Sequence, residues 1–308
     1  MLWVMTLTPP AVLLFPGQGT EAVGMSAGWE AHRPWVETVQ AAEVHTGHPL
    51  RRLMAEGPLE ELRLQRRAPF AVLAHSVGVF RTWRAAGLSL PAAAAGHSMG
   101  FYSALVAAGV VPLQTALDLL SATEDASEIA FADRPMGMAF FIGLAELELR
   151  QALLSYPTLA LSNRNGQAQF TVSGPREELG ALVSQVQPSA LKAGLLPVRH
   201  PLHGPHMAAL LPAVARRLSA VAPAEPAFPL ISHFDARLLT EGTAAWDEGL
   251  ASSALPVDWP LVVARLKTLG SPLAECGHGS QLSGLTRWAD RTLQVVTLQG
   301  PPQPAGSD

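Results

Sequence analysis

The sequence predicts an α/β fold: a large α/β-hydrolase-like domain on a parallel sheet, with a small ferredoxin-like α+β domain inserted into it. Three observations lead there. Short, fully apolar runs at residues 11–15 and 92–95 each stop at a glycine turn, as buried strands of a parallel sheet do. The second run enters Gly96-His97-Ser98-Met99-Gly100 and then a helical stretch, a strand–turn–helix arrangement. Between residues 126 and 199 the order strand, helix, strand, strand, helix, strand is that of a ferredoxin-like unit.

The elements follow in order. Ala11 to Phe15 reads as a strand ended by Pro16-Gly17. Helices are expected over 58–66, 70–86, 101–108 and 113–130. Ala92 to Ala95 favours helix by propensity alone, but the turn that follows it argues for a strand. Met138 to Leu144 reads as a strand, Glu146 to Ser155 as a helix, and 158–162 and 168–173 as strands joined by a turn at Asn163-Arg164-Asn165-Gly166. A helix over Arg176 to Val186 and a strand over Gly194 to Val198 complete the unit. A helix at 205–220, a strand at 228–232 and helices at 259–268 and 281–290 return the chain to the large domain. The expected division is therefore 1–125 with 200–300 for the large domain, 126–199 for the small one, and a disordered tail over 301–308.

Composition narrows the function. Hydrophobic residues make up 48% and charged ones 15%, which is a globular core and not a disordered chain. The formal charge is −4, and lysine occurs only at Lys192 and Lys267, so no basic field exists to hold a nucleic acid. Cys276 is the sole cysteine, which excludes an internal disulfide and a multi-thiolate zinc site. Near the start, Pro9-Pro10 interrupts the apolar run, leaving Ala11 to Phe15 too short to cross a bilayer. No membrane association and a cytoplasmic location are expected, with no metal.

Gly96 to Gly100 fits G-x-S-x-G, a pattern that exposes a serine hydroxyl on a tight turn where only small residues fit at both ends. The same turn places the Met99 N–H, at the helix start, where an oxyanion would develop. Ser98 then needs a base, and the chain has 10 histidines. His97 adjoins the serine but is expected to point away from it. His45, His48, His75 and His233 have no motif around them. The dense region is His200-Pro201-Leu202-His203-Gly204-Pro205-His206, where one domain gives way to the other; composition does not choose among its three histidines.

Five segments, in chain order, resemble the malonyl-CoA:acyl-carrier-protein transacylase family. They are Phe15 to Gly19; Gly96 to Leu105; Asn163 to Gly174; Leu196 to Met207; and Ala274 to Leu285. The resemblance implies that Ser98 is the nucleophile and His203 its base, working as a dyad whose imidazole is oriented by a backbone carbonyl near Ser252. It implies that the backbone N–H groups of Gln18 and Met99 form the oxyanion hole, and that Asn163 and Gln169 order the cleft floor. His200 and Leu202 are carried over to the substrate pocket. The implied activity moves an acyl group from coenzyme A to the phosphopantetheine thiol of an acyl carrier protein, with acyl-CoA as substrate and no bound cofactor. Arg51, Arg52, Arg66, Arg67 and Arg199 are the candidates for a basic rim facing an acidic carrier.

One departure matters. Malonyl-specific members carry an arginine that pairs with the substrate's free carboxylate, and in register that position is Thr123. Phe101 stands where the family often has glutamate, and both are expected at the pocket. Glu124 and Asp125 would repel a carboxylate if they faced it. A monocarboxylic acyl group is therefore expected in place of malonyl, unless Arg134 or Arg199 reaches the pocket by another route. The same dyad also supports an acyl-carrier-protein thioester hydrolase, in which water takes the acyl group. An α/β-hydrolase esterase would need an acidic third member, and a catalytically silent docking subunit would not need the dyad.

Overall fold

The computed structural model describes residues 11–64 and 66–302; Pro9-Pro10 and residues 303–308 of the expected tail lie outside that range. Eleven strands occur among the described residues: β1 (Val12–Phe15), β2 (Ala93–Gly96), β3 (Met136–Ile142), β4 (Ala160–Gly166), β5 (Gln169–Pro175), β6 (Lys192–Leu195), β7 (Leu230–Ile231), β8 (Leu238–Leu239), β9 (Val257–Asp258), β10 (Leu273–Glu275) and β11 (Val295–Thr297). They form two sheets. The larger has the order β11-β10-β1-β2-β7-β8, parallel throughout except for β8 at its edge.

Burial on both faces explains the unbroken apolar runs. Leu13 and Phe15 of β1 point into one core while Val12 and Leu14 point into another, so no position is free to be polar. The alanines of β2 divide in the same way, Ala94 to one side and Ala93 and Ala95 to the other. Their helix propensity, a few tenths of a kcal/mol per residue, yields to a central strand slot between β1 and β7. The helix Arg67–Ala85 is buried along nearly its whole length and packs against the helices Arg33–Thr46 and Gly100–Ala107.

The second sheet has the order β6-β3-β5-β4, all antiparallel, which is the ferredoxin-like arrangement. The helices Glu146–Leu153 and Arg176–Val186 cover one face, over a core that contains Ala139, Phe141, Phe170 and Val172. A fifth strand, β9, pairs in parallel with β4 although it lies at Val257–Asp258, well beyond residue 199. Arg164 of β4 ion-pairs with Asp258 and with Glu146, and Asp258 also caps the helix Trp259–Leu269 through the Leu261 N–H. The two sheets are joined at this seam.

Several elements depart from expectation. Asn163 to Gly166 is the end of β4 and not a turn. Its polar side chains read as loop, but Asn163 and Arg164 pair with Thr171 and Phe170 on one side and with β9 on the other. Two register shifts accommodate the irregularity. The helix expected at 205–220 is broken into Pro205–Ala208 and Leu211–Arg217, with Pro212 at the start of the second piece. The helices Arg33–Thr46, Leu50–Glu56 and Gly242–Ala251, and strands β8 to β11, were not expected at all. Among the described residues no helix is long and apolar enough to cross a membrane.

Candidate active site

Ser98 lies at the carboxyl end of β2, beside the carboxyl end of β1, since Phe15 and Gly96 are register partners. In a parallel sheet, the loops that leave that edge are the usual place for a site. The Pro16–Gly19 turn and the Ser98 turn pack so closely that no side chain fits between them. A Cβ on Gly100 would lie 2.0 Å from the Phe15 carbonyl oxygen, and one on Gly17 would lie 2.7 Å from that of His97. Ser98 has φ 54°, a left-handed conformation that costs a non-glycine residue about 1–3 kcal/mol. The turn holds it there: His97 N–H donates to the Phe15 carbonyl at 3.0 Å and Phe101 N–H to the Ser98 carbonyl at 2.9 Å.

The Ser98 hydroxyl meets His203 Nε2 at 2.6 Å, across 105 residues of chain. His203 follows β6 and also sits in the left-handed region, at φ 59°. Its Nδ1 lies 3.0 Å from the Ser252 carbonyl oxygen and 2.9 Å from that of Leu255. Carbonyls only accept, so Nδ1 carries the proton and Nε2 is left as the acceptor facing the serine. Burial pushes the His203 pKa down to about 4, against the raising effect of the two carbonyl contacts. At neutral pH the ring is a neutral base aimed at a hydroxyl.

Both side chains open onto a cavity of about 460 Å3. One wall is the face of the small sheet away from its helices. Side chains alternate along a strand, so Met138, Phe140 and Ile142 of β3 line the cavity while Ala139 and Phe141 enter the core. Gln169 and Thr171 of β5 and Asn163 and Asn165 of β4 continue that wall. Gln18, Met99, Thr123, His200 and Leu202 line the cavity as well. Among the described residues the backbone N–H groups of Gln18 and Met99 donate to no other backbone group, and both belong to the turns that flank Ser98.

Phe101 does not line the cavity. It is the second residue of the helix Gly100–Ala107, fully buried behind Ser98, with its ring edge-on to His233 at 5.5 Å. The turn that presents Ser98 outward rotates Phe101 inward. His97, expected to point away from Ser98, is bonded to Asn165 Oδ1 at 2.7 Å and edge-on to Trp259, and it lines the cavity as well. Arg134 ion-pairs with Glu178 and Arg199 lines a separate groove, so neither reaches this cavity. Arg66, considered only as rim, does line it, with Nη2 held at 2.7 Å by both Asp125 and Glu128. The run from Met138 to Ile142 is apolar at every position, so no alternation in the sequence marks which of its side chains face the cavity, and nothing local marks Arg66 or Tyr102, which also lines it. Among the described residues no three His, Cys, Asp or Glu side chains are grouped to hold a metal ion.

Comparison with known proteins matches this geometry. Residues 12–254, a span that contains Ser98, His203 and Ser252, match the acyl transferase domain family. The chain is 32% identical over 294 residues to the malonyl CoA-acyl carrier protein transacylase of Escherichia coli K12, covering 94% of this chain and 95% of that one. The acyl-carrier-protein S-malonyltransferase of Burkholderia pseudomallei superimposes with a TM-score of 0.88 at 28% identity, over 95% and 97% of the two chains. A malonyl-transacylase solved in complex with its type II polyketide-synthase acyl-carrier protein gives 0.88 at 28%, over 94% and 96%. With the matched span enclosing a serine and a histidine in hydrogen-bond contact at the mouth of one cavity, the chain belongs to the acyl transferase domain family and is an acyltransferase.

Proposed function

We propose that the protein transfers an acyl group from coenzyme A to the phosphopantetheine thiol of an acyl carrier protein through an ester on Ser98. The observation that carries this reading is the 2.6 Å contact of the Ser98 hydroxyl with an imidazole whose tautomer is set by two carbonyls. Ser98 Oγ attacks the thioester carbonyl carbon as its proton passes to His203 Nε2. The Gln18 and Met99 N–H groups receive the developing oxyanion. The carbon–sulfur bond then breaks, and the coenzyme A thiolate takes the proton from His203. The carrier thiol reverses the sequence: its proton goes to His203, its sulfur attacks the ester carbonyl carbon, the bond from that carbon to Ser98 Oγ breaks, and Oγ takes the proton back from His203. Backbone carbonyls suffice as orienters because they fix the ring and its tautomer without a third charged residue. These steps use the two side chains, the backbone groups around them and the two thiols.

The acyl group is proposed to lack a free carboxylate. Thr123 lines the cavity, but its hydroxyl donates back to the Leu119 carbonyl at 2.9 Å and is not available to an anion. Intact-mass measurement after mixing with acetyl-, malonyl- and octanoyl-CoA tests the scheme. A single acyl adduct is expected in the wild type and none in Ser98→Ala, with the adduct chased faster by pantetheinylated carrier protein than by buffer. Adduct lost equally fast in buffer makes the protein a hydrolase; no adduct from any donor removes the scheme.

A further inference from the structure

We infer that the acyl chain this enzyme accepts carries a hydrogen-bond donor, a hydroxyl or an ammonium, that is bound by Glu124; the inference rests on the Ser98 acyl-enzyme reading above. Glu124 lines the same cavity as Ser98, with its side chain only 14% exposed. Its Oε1 accepts from His200 Nε2 at 3.0 Å, while Oε2 has no partner among the described residues. In the tautomer that carries its proton on Nε2, the nitrogen directed at the carboxylate, Nδ1 is a bare acceptor. That atom is buried without a hydrogen-bond partner, on a residue 5% exposed that also lines the cavity. A third acceptor, Asn163 Oδ1, is likewise buried and unpartnered on the cavity wall.

Buried polar atoms are almost always paired, so unmet acceptors grouped on one cavity point to a ligand that brings donors. The charge balance agrees. Arg66 and Arg217 are matched by Asp125 and Glu128 in one network, which leaves Glu124 with His200 as its only partner among the described residues. Asp125, the other acid beside Thr123, is turned to these arginines and does not line the cavity. A carboxylate-bearing acyl group would face Glu124 with like charge, and a plain alkyl chain would leave its free oxygen dry and unpaired. A donor-bearing chain satisfies it.

The test is a series of coenzyme A thioesters differing only in the end group: methyl, hydroxyl, ammonium and carboxylate, each on linkers of two and five methylenes. The rate of Ser98 adduct formation is read by intact mass. Sites built to bind a donor reject the analogue without one by up to about 10⁴-fold, and at least about a tenfold preference for hydroxyl or ammonium over methyl is expected at one linker length. In Glu124→Gln the ammonium-to-methyl ratio should fall to within threefold. The hydroxyl and ammonium arms separate donor recognition from charge recognition. Adduct from the whole series with methyl equal to or above both donors at both lengths overturns this inference and leaves the acyl-enzyme intact. A ratio unchanged in Glu124→Gln also overturns it. No adduct from any donor overturns the acyl-enzyme reading and this inference with it.

Discussion

Exchanging acetyl-CoA for malonyl-CoA is the perturbation that most directly tests the pocket. A malonyl carboxylate entering the cavity finds Thr123, whose hydroxyl is bonded within its own helix, and Glu124, which carries like charge. The one guanidinium on the described cavity wall, Arg66, is already bridged to Asp125 and Glu128. A buried carboxylate denied its partner costs about 3–5 kcal/mol, which is about a hundred- to a few-thousandfold in rate or affinity. Single-turnover acylation of Ser98, followed by quenched-flow mass spectrometry, should be slower with malonyl-CoA than with acetyl-CoA by at least about a hundredfold. Thr123→Arg combined with Glu124→Gln supplies a cation and removes the repulsion, so malonyl acylation should rise at least tenfold. A wild-type malonyl rate within tenfold of the acetyl rate would refute the reasoning. It would mean that Arg66 leaves its acids to bind substrate.

Other outcomes follow from the same geometry. If His203 is the base as proposed, His203→Ala should slow acylation by about 10²–10⁴-fold, read by the same assay; a loss under tenfold would show that another group takes the proton. Burial holds His203 near a pKa of about 4, and only the neutral ring accepts the serine proton. Acylation should therefore stay flat from pH 8 down to pH 5, whereas half-loss near 6.5 would contradict the burial argument. Gly17→Ala puts a Cβ 2.7 Å from the His97 carbonyl oxygen and should part the two turns around Ser98. A misplacement of about 1 Å costs about a hundredfold in rate, and an unchanged rate would show that the turns can yield. Phe141→Ala empties a fully buried site in the small-sheet core, with an expected loss of about 3–5 kcal/mol in denaturant unfolding; a loss under about 1 kcal/mol would mean that the core collapses into the cavity.

The sequence by itself determined whatever is encoded locally. The apolar runs of β1 and β2, the glycines around Ser98 and the βαββαβ order are legible because backbone sterics and side-chain periodicity act over a few residues. Ser98 was legible for the same reason. The tertiary structure decided everything that depends on which distant segments meet. It selected His203 among three neighbouring histidines by setting it 2.6 Å from Ser98 and placing the Ser252 and Leu255 carbonyls behind it. It drew Asn163 to Gly166 into a strand by offering partners on both sides, and sent Phe101 into the core. Glu124, Arg66 and His200 met around the cavity because the helix Leu113–Ala130 packs there. No local pattern carries such information, since the energy of a pairing across 60 or 100 residues resides in the contact and in neither segment alone.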